Sequence, residues 1–148
     1  MDRAAAQELI ERLKLDAQCL ARAFGLEFRS LDAERAGVRR RLGVCYADGA
    51  IRIRLFHATS GRPLKYSSLV DTLCHELAHL RHFNHGARFQ VFYRRILEHA
   101  RRAGIYRPGR EQPALARLRA PLRPDPFGRA VPVRRAVVAR APEQLALF

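Results

Sequence analysis

The chain has 148 residues, of which 48% are hydrophobic, enough for one domain with a real core. No apolar run approaches the ~20 residues of a membrane span, and the N-terminus lacks a secretory apolar segment, so a membrane partner is excluded and a cytoplasmic chain is expected. The formal net charge is +14, from 28 Lys and Arg (only Lys14 and Lys65 are lysines) against 14 Asp and Glu, and an excess this large points to a polyanion, DNA being the expected partner and the nucleoid the expected place.

In chain order, Leu9, Leu13, Ala17, Leu20 and Phe24 recur at helical spacing, and Gly25 stops the pattern, which predicts a helix over 4–24. Residues 26–31 suit a short strand. Segments 38–46 and 50–57 flank Ala47-Asp48-Gly49, a strong hairpin signal, with Ile51, Ile53 and Leu55 on one face and Arg52 and Arg54 on the other. Gly61-Arg62-Pro63 closes the strand, and Ser67 or Ser68 can cap the next helix. A further helix over 86–103 turns Phe89, Phe92, Tyr93, Ile96 and Ala100 inward. Arg88, Arg95 and Arg102, spaced by seven, form an outward stripe that suits phosphates, or simply solvent. Beyond Gly104 lie seven of the eight prolines and nine arginines, a composition that disfavours packing. The expected organisation is an α+β domain over 1–104, a flexible basic tail over 105–143 and a short C-terminal peptide. Cys19, Cys45 and Cys74 have no CxxC spacing and read as reduced, mostly buried thiols.

The chemistry concentrates at 75–79, His-Glu-Leu-Ala-His, with His85 six residues on. A helix turns about 100° per residue, so His75 and His79 point about 40° apart, while Leu69, Val70, Leu73, Leu77 and Leu80 gather opposite them. Two imidazoles one turn apart with a neighbouring carboxylate are what a catalytic zinc ion needs, and Glu76 is placed to take a proton from water. His82 shares that face but lies about 10 Å along the axis from His75, out of reach of a common ion on a straight helix. Asn84-His85-Gly86 breaks the helix and brings His85 back as the expected third ligand, leaving one position open. Asp71, one turn before His75, either orients that ring or is solvated; His57 and His99 read as ordinary surface residues.

The stretch 71–89, DTLCHELAHLRHFNHGARF, resembles the SprT-like and YgjP-like metallopeptidases, whose pattern is HExxH, five residues, a third His and then a Phe, here Phe89. The resemblance implies a minimal zincin fold, His75, His79 and His85 as zinc ligands, Glu76 as catalytic base, and a strand beside the active helix that holds an extended peptide. The ligand spacing equals that of metzincins too, but His82 stands where they carry Gly and no Met-turn is evident. The last five residues, QLALF, resemble the QLxLF peptide by which bacterial repair and replication proteins bind the β sliding clamp. Gln144, Leu145, Leu147 and Phe148 match its specified positions. These readings together lead to the expectation of a zinc protease acting on DNA-associated proteins, including DNA–protein crosslinks. The alternatives are a metal-dependent hydrolase of a nucleotide or small phosphoester, and a non-catalytic DNA-binding adaptor braced by its metal.

Overall fold

A computed structural model describes residues 3–109. The C-terminal positions Gln144, Leu145, Leu147 and Phe148 lie outside the described residues. The described elements run α1 (Arg3–Phe24), β1 (Ser30–Ala33), β2 (Gly43–Cys45), β3 (Ala50–Ile53), α2 (Tyr66–His79) and α3 (Ala87–Arg102). This is an α+β fold of three helices and one small mixed sheet. No helix among the described residues is long and apolar enough to cross a membrane.

The hairpin forms at the expected turn, with strands shorter than the expected 38–46 and 50–57. Tyr46 donates its N–H to the Ala50 carbonyl at 2.8 Å, and Gly49 donates to the Tyr46 carbonyl at 3.0 Å. Gly49 has φ of 89°, the left-handed position that closes a three-residue hairpin loop and disfavours residues with a Cβ. Asp48 stiffens the turn by accepting the Ala50 N–H at 3.0 Å. β2 pairs antiparallel to β3, with Cys45 opposite Ile51 and Gly43 opposite Ile53.

On its other side β3 pairs in parallel with β1, Leu31 opposite Ile51, giving the order β1-β3-β2. The short strand expected over 26–31 therefore lies further on, at Ser30–Ala33. The hairpin signal carries no information about this parallel neighbour, because parallel pairing is decided by distant chain rather than by a turn.

One sheet face and all three helices share a core. α1 contributes Leu9, Leu13 and Leu20, β3 contributes Ile51 and Ile53, and α2 contributes Leu69, Leu73 and Leu77, all at 0–1% exposure. Each such side chain contributes about 1.5–3 kcal/mol of hydrophobic stabilisation. The Tyr66 hydroxyl donates to Asp16, tying the first turn of α2 to α1. α2 starts at Tyr66 after an N-cap at Lys65 that makes no side-chain capping bond, so neither Ser67 nor Ser68 caps it. Its entry is set by backbone instead: Leu64 donates to the Leu55 carbonyl at 2.9 Å, next to the Phe56–Pro63 bridge. Packing continues past Gly104, where Ile105 is buried and donates to the Ala100 carbonyl at 2.8 Å.

Candidate metal centre

α2 ends at His79, five residues before the break expected at Asn84. Its last turn tightens: Leu80 donates to Leu77 at 3.1 Å and Arg81 to Ala78 at 3.1 Å. Bonds of this i→i+3 kind satisfy the last carbonyls of a helix and swing the chain off its axis. His82 thus sits in the connection to α3, and its side chain is not part of the cluster formed by His75, His79 and His85. Its backbone carbonyl instead faces His79, whose Nδ1 lies 3.0 Å from it. Nδ1 is therefore the protonated nitrogen, and the lone pair of His79 sits on Nε2.

The three expected ligands come together. His75 Nε2 lies 3.0 Å from His85 Nε2, His79 Nε2 lies 3.2 Å from His75 Nε2, and His79 Nε2 lies 3.1 Å from His85 Nε2. Nitrogens bound at 2.0–2.1 Å to a tetrahedral zinc ion stand about 3.3–3.4 Å apart, so this nearly equilateral triangle fits such a group. Among the described residues it is the cluster that could hold a metal ion. His75 and His79 are buried and His85 is exposed, so the site opens to solvent on the His85 side.

Burial lowers the pKa of His75 to about 3, helped by the neighbouring imidazoles, and that of His79 to about 4. Both rings are kept neutral, the form that binds a metal. Phe89, at the first inward position of α3, touches all three rings. Its centroid is 4.8 Å from His75, 4.4 Å from His79 in a stacked arrangement and 4.9 Å from His85. Tyr93, one turn later, stands edge-on to His75 at 5.4 Å, and its hydroxyl donates to Asp71. Burial and that bond raise the Tyr93 phenol well above its usual range. Asp71 is thus held by Tyr93, a half-buried link that the inward spacing of α3 alone does not disclose.

Glu76 is fully buried, and neither carboxylate oxygen has a hydrogen-bond partner among the described residues. Burial pushes its pKa well above the carboxylate range, with Arg41 pulling weakly the other way. A buried carboxylate without partners is unfavourable by several kcal/mol unless something satisfies it. This orphaned group beside three converging nitrogens is what a metal site with a working base requires. Gly43 of β2 makes room for it: a Cβ there would come within 2.7 Å of Glu76 Oε1 and 2.7 Å of Thr72 Cγ2. The residues that escaped notice in the sequence are thus Gly43 and Arg41, while Tyr93 was read as inward without its bond to Asp71. A glycine inside a strand is a signal of close backbone approach, and Gly43 is the one that was legible.

Residues 2–112 match the family model described as the WLM domain. The chain belongs to the WLM domain family. Neither the curated proteins nor the solved structures yield a match. Membership places the chain among zinc-metalloprotease-type domains related to the SprT-like proteins, in keeping with the His triad. The match covers the described fold entirely, so the triad, Glu76 and the Gly43 contact are parts of the WLM domain itself.

Of the arginine stripe, Arg88, Arg95 and Arg102 are all exposed on α3 as expected. Arg102 is engaged, at 3.3 Å from Glu98, which also pairs with Arg101 at 3.0 Å. The side chains of Arg88 and Arg95 have no hydrogen-bond or ion-pair partner among the described residues.

Proposed function

We propose that this WLM domain is a zinc-dependent protease acting on proteins associated with DNA, crosslinked ones included. The observation that carries the proposal is the convergence of three imidazole Nε2 atoms beside a buried, unpartnered carboxylate. His75, His79 and His85 would hold the ion, which supplies the positive charge that polarises a scissile carbonyl and brings the pKa of water to about 7. Glu76 takes the proton of the attacking water on a carboxylate oxygen and passes it to the departing amine. Burial favours its protonated form, which suits the second half of that task. The His82 carbonyl and Phe89 hold the imidazoles in place.

Among the described residues β2 is an edge strand, paired only with β3 in the sheet, and Gly43 puts its backbone against Glu76. An extended peptide adding to that edge presents its backbone to the site without demanding particular side chains. Such a mode suits varied protein targets. The net charge of +14 and the unpaired Arg88 and Arg95 favour a DNA-bound location, and the QLALF end would recruit the chain to a β sliding clamp.

The test is cleavage of a DNA-bound protein by the purified full-length chain, with and without chelator. Cleavage should vanish with chelator, return with zinc and fail in Glu76→Gln. Equal cleavage by wild type and Glu76→Gln would sink the role given to Glu76. Removal of residues 144–148 should abolish clamp binding; unchanged binding rules the peptide out.

A further inference from the structure

The three imidazoles are bracketed by two links between α2 and α3. One is covalent: the connection of residues 80–86 carries His85, which stands two positions before Ala87, the first residue of α3. The other lies beyond the opposite end of the triad along α2, where the Tyr93 hydroxyl of α3 donates to Asp71. Asp71 precedes His75 by one turn, about 6 Å along the axis, and Tyr93 follows Phe89 by one turn on α3. Phe89 and Tyr93 stack with centroids 6.0 Å apart, and both stand edge-on to His75, at 4.8 Å and 5.4 Å.

Asp71 differs from other acids of this arginine-rich chain. Glu11, Glu34, Asp48 and Glu98 each pair with a cation. Asp71 has no ion-pair partner among the described residues, and a phenol takes that place. Burial and the bond to Asp71 hold the phenol well above its usual range, so it keeps the proton it donates. A hydrogen bond of this kind fixes a carboxylate without neutralising it. Asp71 is half-buried, so water screens its charge only in part.

We propose that Tyr93 and Asp71 act together as positioning residues of the metal centre: their bond sets α3, and with it His85, against α2, and it holds the Asp71 charge one turn from His75, where it favours a bound cation. Neither residue takes part in a hydrolytic step. A phenylalanine at 93 would fill the same space, stack on Phe89 and present the same edge to His75. What the hydroxyl adds is the bond to Asp71, so its removal isolates that bond from the packing.

The proposal rests on the metal-binding part of the reading above but not on proteolysis. The full-length protein, stripped of metal, is titrated with zinc in competition with a chromophoric chelator. Tyr93→Phe should weaken zinc binding about tenfold, the scale of loss when a group supporting a ligand is removed. Asp71→Asn keeps an acceptor for the hydroxyl but loses the charge, and should weaken binding by a similar factor. The double variant should lose little more than either single change, because each undoes the same placed charge. Ile96→Val, at a fully buried position of α3 about one turn beyond Tyr93, should lower Tm and leave zinc affinity within about twofold. The visible absorption of the cobalt-loaded protein, which reports ligand geometry, should shift in Tyr93→Phe and stay unchanged in Ile96→Val. Unchanged affinity in Tyr93→Phe, an equal loss in Ile96→Val, or single losses that multiply in the double variant would each overturn the proposal. Failure of the wild type to bind zinc removes the metal reading along with it; wild-type binding that survives Tyr93→Phe intact removes this proposal alone.

Discussion

Glu34 and Glu76 are both buried acids in the neighbourhood of Arg41, at 5% and 0% exposure. Glu34 accepts the Arg35 N–H at 3.0 Å and the Arg41 Nε–H at 2.9 Å. Glu76 accepts nothing from the described residues. Arg41 directs its hydrogen bonds to Glu34 and Tyr46 and reaches Glu76 only through space. The first carboxylate is compensated by the fold and holds the segment before β2; the second is kept dry and unpaired. A buried acid of the first kind is architecture, and one of the second kind lowers stability, as the proposed role of Glu76 as a base predicts.

The sharpest way to break this comparison is Glu76→Gln. Loss of a general base lowers turnover by about 10²–10⁴-fold. The same variant should melt higher than wild type in the metal-free state at neutral pH, because the amide needs neither a charge desolvated nor a proton taken up on folding. A Glu76→Gln protein that is both inactive and less stable would place Glu76 with Glu34 among the structural acids.

Gly43→Ala comes next. The new methyl must displace Glu76 Oε1, which it would otherwise approach to 2.7 Å. Misplacing the base by about 1 Å should lower turnover by about 10²-fold, and the overpacking should remove about 1–3 kcal/mol in urea unfolding. Unchanged turnover would show that Gly43 does not set the position of the base. Glu34→Gln should do the reverse, weakening a charge-assisted pair worth about 1.5–3 kcal/mol while kcat of the folded fraction holds.

The smallest effect is in pH. With the metal removed, His75 and His79 titrate at about 3 and about 4 when folded, below the usual histidine value. The unfolded chain therefore binds protons first as pH falls below about 6.5, and stability is lost in that direction. Glu76 titrates above its usual value when folded, so the unfolded chain releases its proton first as pH rises past about 4.3, and stability is lost that way too. Thermal melts of metal-free protein should fall on both sides, and Glu76→Gln should lose the decline on the alkaline side only.

Much of this was legible in the residues. The apolar back of α2 and the common face of His75 and His79 follow from helical periodicity, and His85 does return as expected, although the helix ends at His79 rather than at the Asn-His-Gly. Side-chain patterns say which face a residue occupies, and that sufficed for the gathering of the three histidines and for the Asp48-Gly49 hairpin. They say little about where a backbone carbonyl points. The early end of α2 at His79 and the bond from His79 to the His82 carbonyl were invisible for that reason. The cap expected from Ser67 or Ser68 gave way to backbone pairing set by residues 55–64, and the parallel place of β1 depended on distant chain. Gly43 acquires meaning only once β2 lies against Glu76, although both residues are plain in the sequence.

The His82 turn also has a kinetic meaning. All three imidazoles and the carbonyl that orients one of them fall within residues 75–85, so closing this loop carries a small entropic penalty and needs only the end of α2 and its connection. The surroundings of Glu76 depend on Gly43, more than thirty residues earlier in the chain, and form only when the sheet docks. Contacts of such different range form in order, local before distant. A nascent or partly unfolded chain therefore brings the three imidazoles together before Glu76 gains its buried surroundings, and under the proposed function hydrolysis would wait for the complete domain.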